Sequence, residues 1–183
     1  MHRTRWMFPL GLLAAVTLRA GAGEAARFDF ESEGDPEGWE TFRASLRVSG
    51  GVLAGVARGP DPQLARDAVE RAPDAAWDTL TIKVRELDHL GGPVPYADAG
   101  LLLIFNVQDR GSATNFGPPR TVSDPDAAGF RTLAWDLSGF APASTGRIRL
   151  DPIGGPDTVR PDAPDNGFEV DSIVFYDTSD TPR

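Results

Sequence analysis

The chain of 183 residues contains no cysteine. Disulfides, an anchor on a lipid-modified cysteine and the thiolate ligands of most structural zinc sites are thereby excluded, and stability must come from a hydrophobic core. Histidine is nearly as scarce, with His2 and His89 the two copies. A serine nucleophile needs a base beside it, and His89, in the turn-like "LDHLGG", reads as a surface residue. Lysine occurs once, as Lys83, so the glycine-rich "GGVLAGVARG" lacks the lysine that a phosphate-cradling loop requires. No segment carries the roughly 20 consecutive apolar residues of a spanning helix.

What is present begins with Arg3 and Arg5 ahead of an apolar stretch from Trp6 to Val16, then Ala20-Gly21-Ala22. This pattern predicts a secretory signal peptide over 1–22, with the cut near Ala22 or as late as Ala26, and one domain over 23–183. Removing residues 1–22 takes away Arg3, Arg5 and Arg19, leaving 15 basic against 27 acidic residues, a formal charge of −12. Such a surface repels nucleic acid phosphates. The expected product is exported, to the periplasm, the cell envelope or the medium, with no membrane insertion.

After residue 22, short alternating segments are separated by clusters of Gly, Pro, Asp and Asn, the pattern of an all-β protein. In "WDTLTIKVREL" Leu80, Ile82 and Val84 share one face, while Thr79, Thr81, Lys83 and Arg85 share the other. "GLLLIFNVQDRG" is apolar on both faces and reads as a central strand. "GFRTLAWDL" sets Leu133, Trp135 and Leu137 against Thr132 and Asp136, and "RIRL" alternates Ile148 and Leu150 with arginines. "FDFE", "GWETFRASLRV" and "GGVLAGVAR" supply further strands, and Gly50-Gly51 offers positive φ at a hairpin tip. One segment is ambiguous. "DPQLARDAVERA" suits a helix locally, with Asp61 as N-cap, Pro62 in the first turn and Leu64, Ala65, Ala68, Val69 and Ala72 at helical spacing.

The order and spacing of "FDFES…EGW", "GGVLAGVARGPDPQL", "AWDTLTIKVRE", "GRIRLDPIGGP" and "FEVDSIVFYD" resemble the galactose-binding-like jelly-roll domains, many of them carbohydrate-binding modules of secreted bacterial proteins. The resemblance covers most of the chain after residue 22. It implies a two-sheet antiparallel β-sandwich, a strand rather than a helix around "GPDPQL", and first and last strands side by side. It also implies a structural calcium ion held by acidic residues near the two ends of the domain, matched here to Glu31 and Asp171 with Asp29 as a third. Calcium takes six to eight oxygen ligands. The alternative for Asp171 is a bulge or strand end, with the carboxylate paired to Arg149 or Arg147 or solvated.

Glycan binding needs a ring flanked by polar side chains, because apolar sugar faces stack on aromatics while hydroxyls seek directional partners. The candidates are Trp135, Phe116 and Tyr96, with Arg131, Gln108 and Asn106 as polar partners; Trp77 and Arg85 are further possibilities. Trp39 and Trp135 also fit a core. The expected function is non-catalytic, reversible association with a glycan. Two alternatives stand beside it: a structural or adhesive envelope module that binds protein, and a jelly-roll polysaccharide lyase or hydrolase, for which the tyrosine, histidine, arginine and glutamine set cannot be assembled from Tyr96, Tyr176 and His89.

Overall fold

The computed structural model describes residues 23–59, 62–67, 79–88, 90–94, 106–109, 112–115, 119–137, 148–152 and 166–177, with residues 106–109 and 112–115 described by their backbone. Among the described residues there are twelve strands and no helix. Every pairing between them is antiparallel.

The larger sheet runs β3 (Arg47–Ser49), β4 (Val52–Val56), β12 (Gly167–Asp177), β6 (Thr79–Leu87), β10 (Arg131–Asp136) and β9 (Thr121–Val122), and β1 (Gly23–Phe28) also pairs with β12. The smaller sheet runs β2 (Trp39–Phe42), β5 (Gln63–Arg66), β11 (Ile148–Leu150), β7 (Asn106–Asp109) and β8 (Ser112–Asn115). The chain is an all-β, two-sheet antiparallel sandwich. Its first and last described strands lie together, Gly23 opposite Asp177 and Phe28 opposite Ile173.

The period-two pattern accounts for the core. Leu80, Ile82 and Val84 of β6, Leu133 and Trp135 of β10, and Phe168, Val170, Ile173 and Phe175 of β12 face inward from the larger sheet. They meet Trp39, Leu64, Ile148 and Leu150 of the smaller one in a single buried cluster. At about 25 cal/mol per Å² of apolar surface removed from water, this cluster is the main source of stability in a chain that has no disulfide. Phe28 meets Trp39 edge-on, ring centroids 5.7 Å apart, and so ties the first strand to the opposite sheet.

Two local features follow the sequence closely. The β3–β4 hairpin closes through Gly50 and Gly51 at φ of 62° and 75°, a two-residue turn in which both central residues need positive φ. β6 alternates buried and half-buried residues along its whole length.

One expectation changes, and one choice left open between local spacing and resemblance falls to the strand. "FDFE" is not a strand as a unit: β1 ends at Phe28, and Phe30 takes φ 57° while fully buried, its amide donating to Glu37 Oε1 at 2.9 Å. The core claims the Phe30 ring and the backbone turns to deliver it. The helix favoured locally from Asp61 gives way to strand β5 over Gln63–Arg66, because β2 and β11 each bond to it and Leu64 fills the core between them. Sheet hydrogen bonds and burial outweigh a helical spacing that only weak intrinsic propensity supports. Residues 68–72 of that segment and 101–105 of "GLLLIF" lie outside the described residues.

Candidate functional site

Asp171 occupies a β-bulge. Val170 stands opposite Val84 and Ser172 opposite Lys83, so Asp171 is the extra residue with no partner on β6. The bulge lies where the other edge of β12 changes neighbour, from β4 along Gly167–Val170 to β1 from Ile173 onward. It also switches parity. Phe168 and Val170 point inward before it, Ile173 and Phe175 after it.

The carboxylate is half-exposed and sits 3.4 Å from Lys83 Nζ, while Asp126 lies 3.3 Å from the same ammonium. Among the described residues its cation is Lys83 of the neighbouring strand, while Arg149 pairs with Asp151; Arg147 lies outside the described residues. Lys83 and Arg85 both cover the Phe130 ring, at 5.3 and 4.4 Å from its centroid, and Arg85 Nε donates to Glu169 at 2.6 Å. Desolvation pulls the Lys83 pKa down, but the hydrogen bond to Asp126 and the charge of Asp171 outweigh it and hold the group above the ordinary lysine value. Desolvation likewise raises Asp126, yet the amides of Phe130 and Ala128 together with Lys83 hold it below the ordinary carboxylate value. The sign is clear at both ends. The stabilisation is lost as acid passes the lowered Asp126 value and as alkali passes the raised Lys83 value, and it persists across neutral pH.

The acidic residues matched to calcium each have another neighbour in this structure. Asp29 lies 3.4 Å from Arg27, Asp171 is held by Lys83, and Glu31 packs against Gly51 of the hairpin. Among the described residues no three His, Asp or Glu side chains are grouped to hold a metal. The expected outcome of a calorimetric melt is the same midpoint with and without chelator. A rise of several degrees on adding calcium would contradict this geometry.

Among the described residues, the candidate glycan ligands are divided between the two sheets. Trp135 is 2% exposed between Leu133 and Leu137, so it belongs to the core and offers no platform, because the alternation of β10 turns it inward opposite Leu80. Arg131 lies on β10 of the larger sheet, where Nη1 donates to the Ser123 carbonyl at 3.0 Å. Asn106 and Gln108 lie on β7 of the other sheet, with Asn106 opposite Arg149 on one side and Asn115 on the other. Arg85 is engaged with Glu169 and Phe130. Phe116, Tyr96 and Trp77 lie outside the described residues.

The structure instead exposes Phe42, at 51%. It ends β2, opposite Gln63 of β5. Trp39, three residues earlier, points into the core, so odd spacing on a strand sends Phe42 to the outward side. That signal was readable in "WETF" once Trp39 was assigned to the core. Arg43 then takes φ 57° and places its guanidinium 4.9 Å from the Phe42 ring centroid. This turn carries the chain from β2 in one sheet to the strand pair of the other, where Ala44 bridges Ala57 and the Arg58 amide donates to the Arg43 carbonyl at 2.7 Å.

Farther along the chain, the outer side of the β3–β4 ladder forms an open groove of about 590 Å³. Ser45, Arg47, Ala54 and Glu169 line it, and Leu90, 81% exposed, stands at its margin. The exposed ring with its stacked arginine offers an apolar face beside a hydrogen-bond donor, and the groove has a mixed apolar and polar lining.

No known protein-family pattern matches the chain, and no curated protein matches it in sequence. Solved structures do. A mutant of a family 29 carbohydrate-binding module complexed with mannohexaose is 13% identical, covering 84% of this chain and 92% of that one, with a TM-score of 0.49. Another mutant of that module, complexed with cellulohexaose, is 12% identical over 83% and 92%, with a TM-score of 0.47. A further family 29 module is 14% identical over 79% and 82%, at 0.45. These are likenesses of fold.

Proposed function

We propose that this protein is an exported, non-catalytic module that binds a glycan reversibly through the exposed ring of Phe42. The observation that carries the reading is the Phe42 ring, half-exposed at a sheet edge with one guanidinium already against it. A phenyl ring in water is unfavourable. A sugar face offers it apolar C–H groups, and Gln63 and Arg43 stand close enough in the fold to meet hydroxyls.

Export rests on the basic, apolar and small-residue pattern of residues 1–22. A structural or adhesive envelope module is the second reading, favoured by the exposure of Leu90, which a protein partner would cover more naturally than a sugar would.

Phe42→Ala is expected to weaken retention in affinity electrophoresis through the bound polysaccharide by at least about tenfold, while the thermal midpoint moves by only a degree or two, since the ring is outside the core. Unchanged retention of the variant would remove Phe42 from the binding surface. Silence of the parent protein against plant, algal and bacterial polysaccharides alike would remove the glycan itself.

A further inference from the structure

Strand β1 begins at Gly23, the residue that follows Ala20-Gly21-Ala22, and it is paired from its first residue. Gly23 lies opposite Asp177, Glu24 opposite Tyr176 and Ala26 opposite Phe175, with Ala25 the extra residue of a bulge. Arg27 and Phe28 then face Val174 and Ile173. A leader peptidase selects small side chains at the last and third-last positions before its cut. For a cut after Ala22 those positions hold Ala22 and Ala20, whereas for a cut after Ala26 they hold Ala26 and the larger, charged Glu24.

The two cuts differ in what they take from the sandwich. From Ile173 onward β12 has β6 along one edge and β1 along the other. Among the described residues, 23–26 are what covers the second edge at Phe175–Asp177. Their removal would leave the backbone N–H and C=O groups there as a bare sheet edge. It would also strip Ala25 and Ala26 from their packing against the core cluster, in which Phe175 is fully buried, and take Glu24 from Arg27, 3.0 Å away. Of the five paired positions of β1, only Arg27 and Phe28 would remain. A cut after Ala22 removes no residue of the strand.

We propose that the bond cut on export is Ala22–Gly23, so that all six residues of β1 stay with the domain. This rests on the export reading above and assigns its processing site. The step is a hydrolysis: water adds to the Ala22 carbonyl, the C–N bond breaks, Ala22 leaves as the carboxylate end of the leader, and the Gly23 nitrogen takes up the proton to become an α-ammonium. Gly23 is exposed, so the new charge forms in water and carries no burial cost.

The test is the intact mass and N-terminal sequence of the exported product when the full chain is expressed in a bacterial host. The expected product begins at Gly23. A product beginning at any other residue, Arg27 included, overturns the site and leaves the export reading intact. A full-length chain retained inside the cell overturns both. Ala22→Arg puts a large charged side chain directly before the cut and is expected to leave the precursor whole; continued release of a product beginning at Gly23 overturns the proposal. Chains made to begin at Gly23 and at Arg27 are then melted side by side, and the shorter is expected to melt at least about 5 °C lower or not to fold. Equal midpoints overturn the proposal as well, since a cut after Ala26 would then cost the fold nothing.

Discussion

Deleting Asp171 and Ser172 together is expected to abolish the cooperative thermal transition, or to lower its midpoint by more than about 10 °C, whereas deleting Asp171 alone should cost far less. With the bulge present, Val170 and Ile173 both face the core although they are three residues apart, because the bulge inserts one unpaired residue. Without Asp171 they are two residues apart, so plain alternation still sends both inward and Ser172 still meets Lys83. Without Asp171 and Ser172 they are adjacent and must point to opposite faces, which leaves β12 two choices. It keeps its register with β4 and turns Ile173 and Phe175 outward, or keeps its register with β1 and turns Phe168 and Val170 outward. Either choice exposes two large side chains that are now at most 1% exposed. At about 1.5–3 kcal/mol each, the loss is roughly 3–6 kcal/mol before the cost of turning Tyr176 or Glu169 inward. A domain of this size holds only about 5–15 kcal/mol in total. Circular dichroism melts of the single and double deletions, run side by side, decide the matter. A double deletion melting within about 5 °C of the parent would mean that the residue count at the bulge does not set which side chains of β12 face the core.

Gly55→Ala is expected to lower the midpoint by about 6–12 °C, corresponding to roughly 3 kcal/mol in a domain of this length. Gly55 lies in β4 opposite Phe168, and a Cβ there would meet Phe168 Cζ at 2.4 Å and Cε1 at 2.6 Å. It would also meet the Ser45 carbonyl oxygen at 2.6 Å. The ring has no room to retreat, since Phe168 is fully buried, and the carbonyl belongs to the paired backbone. This glycine is required by space. Phe168→Leu in the same background should restore only part of the loss, because the contact with Ser45 remains. Complete recovery in the double variant would place the whole cost in the ring.

The remaining polar features of the larger sheet are expected to matter far less. Lys83, Asp126 and Asp171 form a network at the solvent boundary, where screening and side-chain entropy limit each ion pair. Its main work is local: it lays the 123–130 loop over β6, with Phe130 beneath the two cations.

Much of this was legible in the amino acids. Strict alternation in Leu80, Ile82 and Val84, in Leu133 and Trp135, and in Ile148 and Leu150 determined which side chains are buried, because strand geometry alone sends successive residues to opposite faces. The glycine pair at 50 and 51 determined a hairpin for an equally local reason, its positive φ. Only the tertiary structure decided which strands flank Gln63–Arg66, that Asp171 meets Lys83, and that Phe42 stands exposed at the edge of a sheet. The physical reason is range. Alternation and turn preference act between neighbours in the chain, whereas the partner across a sheet is chosen by burial and hydrogen bonding between segments tens of residues apart.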